Sequence, residues 1–305
     1  MEYVNQRVAY GNTLVELGRE NPNIVVLDAD LGGSTMGKLF ELEYPERHFE
    51  VGIAEANMTS IAAGLAQTGK VPFVNSFAVF ASGRAYDQIR QTISIGKLNV
   101  KIVGSSAGLS DFGDGSTHQS IEDLAIMRAI PNLTVISPAD ANETVQATKA
   151  IAEYNGPVYL RINRHDYDNV TPADKSFVIG QPTVLREGTD ITIFATGITV
   201  GMALKAAECS HLSVKVVNVS TIKPLNDEKI IELASNTLGV VCVEEHSIIG
   251  GLGSAVTEAL RRTGKPVEFV GIKDTFGCSA HNYGELLNHF DITTEAIIKA
   301  LEGFK

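Results

Sequence analysis

Cysteine is scarce in this 305-residue chain. Cys209, Cys242 and Cys278 stand far apart, in neither a CxxC pattern nor a Cys/His ligand spacing. That argues against a disulfide framework and against structural zinc, and it fits a reducing compartment, so a cytoplasmic protein is expected. Positive charge is in deficit as well: 25 Lys and Arg against 36 Asp and Glu give a formal net charge of −11. Nucleic acid and anionic membrane surfaces attract excess cations, so neither is expected as a partner, whereas small anionic metabolites can still be held by local arginines. Long apolar runs are missing too. Nothing approaches a membrane span, and residues 1–11 lack the apolar core of a secretion signal.

What is present reads as an α/β protein. The length predicts two domains of about 150 residues each. Short β-branched runs such as Asn23-Ile24-Val25-Val26-Leu27, Lys101-Ile102-Val103 and Leu133-Thr134-Val135-Ile136 alternate with stretches of helical period. The polar, turn-forming stretch Asp166-Tyr167-Asp168-Asn169-Val170-Thr171-Pro172-Ala173-Asp174 then interrupts the pattern. A second series of strands follows, at Asp190-Ile191-Thr192-Ile193-Phe194-Ala195, 214–219, 240–243 and 267–270. The expectation is two doubly wound, mainly parallel sheet domains over 1–165 and 186–305, joined by a linker at 166–185.

Four stretches could carry chemistry. Val51-Gly52-Ile53-Ala54-Glu55-Ala56-Asn57-Met58 places one carboxylate in apolar surroundings before a helical run at 58–66. Taken alone, Glu55 could simply complement a helix dipole, or it could be a proton partner whose carboxyl ionises reluctantly. Phe77 and Phe80, in Ser76-Phe77-Ala78-Val79-Phe80-Ala81-Ser82-Gly83-Arg84-Ala85-Tyr86-Asp87-Gln88, have the spacing of ordinary core residues. Gly113-Asp114-Gly115-Ser116-Thr117-His118-Gln119 offers an Asp and a His four residues apart. Glu244-Glu245-His246-Ser247-Ile248-Ile249-Gly250-Gly251-Leu252-Gly253-Ser254 reads as a tight strand-to-helix turn, a weak signal for nucleotide binding. His246, His281 and His289 show no ligand spacing.

Taken together, these motifs resemble the pyrimidine-binding and C-terminal domains of the transketolase family of thiamine-diphosphate enzymes, in the form of the C-terminal subunit of a split transketolase. The resemblance implies that Glu55 hydrogen-bonds N1′ of the cofactor's aminopyrimidine and exchanges a proton with it. It implies that Phe80 stacks on that ring while Phe77 closes the pocket. His118 would reach the sugar's carbonyl or C1 hydroxyl, and Asp114 the hydroxyl beside the acceptor aldehyde. Arg7, Ser34 and Arg164 match phosphate ligands of the family, and guanidinium forks suit phosphate oxygens. Arg84 resembles instead the aldehyde-phosphate ligand of deoxyxylulose-phosphate synthases. Two departures stand out, because an aromatic is replaced by Gly83 and a phosphate-binding His by Gly104. Gly104 leaves room for a non-phosphorylated or sulfonated sugar.

Gly113-Asp114-Gly115 with Asn142 imitates the family's diphosphate and Mg²⁺ signature, but it lies in a loop well beyond Val103. It is expected to be a decoy. Mg²⁺ and the diphosphate would then be held by a partner, the N-terminal transketolase subunit, in an α₂β₂ complex sharing the thiamine diphosphate. The expected activity is transfer of a two-carbon ketol unit from a ketose, phosphorylated or not, to an aldose. A deoxyxylulose-phosphate synthase fragment, a 2-oxo acid dehydrogenase β subunit and a non-catalytic regulatory paralogue are the competing readings.

Overall fold

The computed structural model describes residues 4–304. Its strands are β1 (Ile24–Asp28), β2 (His48–Glu50), β3 (Val71–Phe77), β4 (Lys101–Ser105), β5 (Thr134–Ile136), β6 (Val158–Arg161), β7 (Thr183–Arg186), β8 (Ile191–Ala195), β9 (Val214–Asn218), β10 (Thr221–Lys223), β11 (Gly239–Ser247) and β12 (Val267–Ile272). They form a seven-stranded sheet in the order β10-β5-β6-β4-β3-β1-β2 and a five-stranded sheet in the order β12-β11-β8-β9-β7. Every pairing is parallel except β10 with β5 and β7 with β9. This is the α/β, doubly wound, mainly parallel architecture expected from the alternating pattern.

Helices on both faces explain why the strands read as continuous rather than alternating: every residue of β3, β4, β5 and β6 is buried. On one face of the first sheet, Tyr10, Leu14 and Leu17 of helix Gln6–Glu20 pack with Val26, Phe73, Val103 and Leu160. Asn5 caps that helix by accepting from the Arg7 and Val8 amides, and Asp140 caps helix Ala141–Glu153 by accepting from the Glu143 amide. The other face is continuous with the second unit, since Val25, Leu27, Val74 and Ile102 share one apolar cluster with Val217, Val240, Leu252 and Val256. Ile191, Ile193, Val216 and Val241 join helices Thr199–Cys209 and Thr294–Glu302 in a further cluster.

Residues 221–223 cross back to complete the first sheet as its outer strand. The two halves are therefore tied by a shared ladder as well as a shared core. The chain runs from β1 outward to β2 and then returns across β1 to β3, so the loops leaving β1 and β3 diverge. Such a switch point at the carboxyl ends of parallel strands opens a crevice. No helix among the described residues is long and apolar enough to cross a membrane.

Candidate active site

The helix expected from position 58 begins earlier, at Glu55, and runs to Gln67. Glu55 is only 2% exposed. Its surroundings are not purely apolar, which corrects the sequence reading: Arg84 Nη1 lies 3.2 Å from Oε2 and 3.4 Å from Oε1. Arg84 reaches it because the chain leaves β3 into a π-helical turn, Phe80–Arg84, whose wider winding sets the guanidinium over the Phe80 ring at 5.0 Å.

Phe77, the last residue of β3, and Phe80 stack with ring centroids 6.2 Å apart and planes 15° from parallel. His118 meets both edge-on, at 5.3 Å from Phe80 and 6.3 Å from Phe77. Glu55, Phe77, Phe80, Arg84 and His118, drawn from three separated stretches, are thus linked by a chain of contacts beyond the end of β3. A Cβ at Gly83 would meet nothing within 4 Å, so the missing aromatic leaves that flank open.

The loop that presents Asp114 and His118 is held from both halves of the molecule. The Leu109 amide donates to Glu245 Oε1 at 2.7 Å, and Gln119 Nε2 donates to the Cys278 carbonyl at 2.8 Å. Gly115, at φ +73°, has Ser279 Oγ where a Cβ would sit, so glycine is required there twice over. His118 Nδ1 pairs with Thr117 Oγ1 at 2.9 Å.

Arg7, Ser34 and Arg164 form an adjoining cluster. Arg7 donates from Nη1 to the Ser34 carbonyl at 2.8 Å and from Nη2 to the Arg164 carbonyl at 3.3 Å. Burial, then the neighbouring Arg164 charge, lowers the Arg7 pKa. The Arg164 guanidinium stands 6.0 Å from the Phe77 ring centroid and 2.7 Å from Asp111 Oδ1, which joins this cluster to the aromatic slot. Asp28 at the end of β1 fixes the Ser34 loop: it accepts from Thr35 Oγ1 at 2.7 Å and pairs with His48 Nε2 at 2.9 Å. Asp28, His48 and Asp111 were not singled out from sequence, because their partners lie 7 to 53 positions away. Position 104 has no room for a side chain, since a Cβ would lie 2.3 Å from the Tyr159 hydroxyl and 3.0 Å from Ala78 Cα. That hydroxyl is itself committed to Asp123 Oδ2 at 2.8 Å.

The remaining polar motifs are spent on structure. Asn142 sits in helix Ala141–Glu153 with its amide on the Thr171 carbonyl at 2.9 Å, so nothing turns it towards Asp114. Glu244 plugs the glycine-rich turn by accepting from the Leu252 and Gly253 amides at 2.7 and 2.9 Å. The helix N-terminus that a phosphate would need is therefore already capped by a carboxylate. Glu245 is buried between the two halves, accepting from Leu109, Tyr283 and Asn163; burial drives its pKa up to about 7, against the opposing pull of Arg161. No group of three or more metal-ligating side chains occurs among the described residues.

Comparison with known proteins identifies the family. The transketolase pyrimidine-binding domain family matches residues 2–169, and the transketolase C-terminal domain family matches residues 180–297. A Methanocaldococcus jannaschii protein, provisionally named transketolase C-terminal section, is 48% identical over 98% of this chain and 96% of its own length. A 6-deoxy-6-sulfo-D-fructose transketolase subunit from Clostridium sp. strain MSTE9 is 41% identical over 96% of this chain and 92% of its own. Among solved structures, a split-gene transketolase described as an inactive β4 tetramer superposes with a TM-score of 0.90 at 46% identity, covering 99% of this chain and 98% of that one. The chain belongs to the transketolase family, within the group of C-terminal subunits of split transketolases.

Proposed function

We propose that this chain supplies one half of a thiamine-diphosphate-dependent ketol-transfer site and works only with a companion that carries the diphosphate and Mg²⁺. The observation that carries this reading is the convergence of a buried carboxylate, Glu55, with the stacked Phe77 and Phe80 and the edge of His118. A flat aminopyrimidine with a ring nitrogen to share a proton fits that set: it needs an aromatic face and a carboxyl at its rim. The same residues do not fit a diphosphate-bound Mg²⁺, which calls for several oxygen ligands and falls to the companion.

When bound, thiamine diphosphate would stabilise the two-carbon unit between donor and acceptor. Glu55 holds or releases a proton opposite the pyrimidine, which requires Arg84 to leave its carboxylate. Freed from Glu55, the half-exposed Arg84 can bind the acceptor sugar. Phe80 orients the ring and Phe77 excludes water. His118 donates to the donor's carbonyl or C1 hydroxyl, and Asp114 accepts from a hydroxyl of the acceptor. Arg7, Arg164 and the Ser34 loop hold the far end of the sugar.

The division into a pyrimidine-binding unit over 1–165, a linker at 166–185 and a C-terminal unit over 186–305, a cytoplasmic location and an α₂β₂ assembly belong to the same proposal. Co-expression with a companion bearing a strand-end GDG motif tests it. Ketol transfer should be present in the mixture and absent from either chain alone. Transfer by this chain alone would overturn it.

A further inference from the structure

The cluster of Arg7, Ser34 and Arg164 contains a group that ketol transfer by itself does not call for. Asp111 Oδ1 lies 2.7 Å from Arg164 Nη1, and Asp111 is 3% exposed. Its second oxygen, Oδ2, is buried and receives no hydrogen bond from a donor group, while the Asp114 carboxyl lies within side-chain hydrogen-bonding reach of Asp111. Asp114 adds a second carboxyl beside it, and Asp166 acts electrostatically on Arg7. Two guanidinium groups are thus matched by three carboxylates. Position 104 adds no further donor, because the Tyr159 hydroxyl fills its space and is committed to Asp123.

A desolvated carboxylate on Arg164 is a built-in counter-ion. An anion arriving at Arg164 must sit close to Asp111 in a site of low dielectric, where repulsion scales with the charge it brings. A neutral hydroxymethyl group meets none of this repulsion, a sulfonate meets it once, and a phosphate dianion meets it twice. Burial works against the Asp111 charge, Arg164 opposes that, and the neighbouring Asp114 carboxyl adds to it.

We propose that Asp111 is a specificity-determining residue that selects the sugar by the charge of its terminal group, admitting neutral or singly charged ends and disfavouring a phosphate dianion. The sugar's identity as a ketol donor or acceptor rests on the function proposed above, whereas the charge selection rests on the burial of Asp111 and its ion pair with Arg164. If Asp111 served only to hold Arg164 in position, its loss would weaken every anion alike.

The test uses the full chain and its Asp111→Asn variant, which keeps the shape and an acceptor for Arg164 but removes the charge. Inorganic phosphate at pH 8 and methanesulfonate are titrated into each by calorimetry. Phosphate should bind about tenfold or more tightly to Asp111→Asn than to the parent, while methanesulfonate changes by less than about threefold. Arg164→Gln in the Asp111→Asn background should abolish the gain. Asp111→Ser, which removes the charge with a smaller side chain, should move phosphate in the same direction and guards against a folding defect in the first variant. Unchanged or weaker phosphate binding in both variants, or an equal gain for both anions, overturns the proposal. In the assembled complex, the KM for an aldose phosphate relative to the unphosphorylated aldose should fall by a similar factor, with kcat nearly constant. A complex that transfers no ketol unit would refute the proposed function, while the phosphate titration would still decide the role of Asp111.

Discussion

Two buried glutamates at the carboxyl edges of the two sheets have opposite fates. Glu55 opens a helix beside β3, and among the described residues its carboxylate accepts hydrogen bonds from the half-exposed Arg84 side chain. Glu244, near the end of β11, has both oxygens fixed by the Leu252 and Gly253 amides, which are backbone and cannot move away. Around Glu55 stand stacked aromatics and an open flank at Gly83; around Glu244 there is no space, since a Cβ at Gly251 would lie 2.0 Å from its oxygen. The same doubly wound layout therefore yields a sealed joint where the carboxylate's partners are backbone amides and, on the function proposed above, a reactive edge where the partner is a side chain. On that proposal, burial alone does not make a catalytic acid; the partner decides.

The sharpest way to break this comparison is to substitute both glutamates. Glu55→Gln should lower ketol transfer by the assembled complex about 100-fold or more, the scale of a lost acid–base group, with assembly intact. Glu244→Ala should leave transfer nearly unchanged but cost about 1–2 kcal/mol of stability, because two buried amides lose their acceptor. Near-full activity in Glu55→Gln, or a large activity loss in Glu244→Ala, would collapse the distinction.

Glu245 refines the comparison, being buried like Glu244 yet joined to the loop that carries His118. Its loss in Glu245→Ala strands the Leu109 amide, the Tyr283 hydroxyl and the Asn163 amide, and should cost about 2–3 kcal/mol in urea unfolding. The folded-state pKa, about 7, lies above the ordinary value of 4.5, so the folded protein keeps this proton to higher pH than the unfolded chain does. The contribution of Glu245 to stability is accordingly greatest below pH 4.5 and falls as pH rises towards 7. Glu245→Gln should flatten that part of the stability profile. An unchanged slope would show that Glu245 is ionised in the folded protein throughout the range.

Much of the fold was legible in the sequence because β-branched runs such as 24–27, 101–103 and 240–243 become fully buried parallel strands. β3 was harder to see, since Pro72, Asn75 and Ser76 interrupt its apolar run while being just as buried. The π-helical turns Phe80–Arg84 and Ile89–Ser94 have neither a helical nor a strand period, so no pattern announces them. β10 is three residues long and belongs to the first sheet only through a long-range crossing.

At the candidate site, Glu55, Phe77, Phe80 and His118 were singled out through the family resemblance, since the spacing of Phe77 and Phe80 alone reads as ordinary core. The pairings that tune them were not. Arg84 finds Glu55 across 29 positions, Asp111 finds Arg164 across the loop, and Glu245 reaches Leu109 from the other half of the molecule. Those contacts depend on where loops land after folding, which local sequence does not encode.

The central claim is that this chain holds the proton-exchanging half of the cofactor site without the half that grips the diphosphate. Calorimetry with thiamine diphosphate and Mg²⁺, on this chain alone and on its mixture with the companion subunit, tests that claim most directly. The account predicts no tight binding by the chain alone and a tight, Mg²⁺-dependent isotherm in the mixture. A tight, Mg²⁺-dependent isotherm from the chain alone would contradict it.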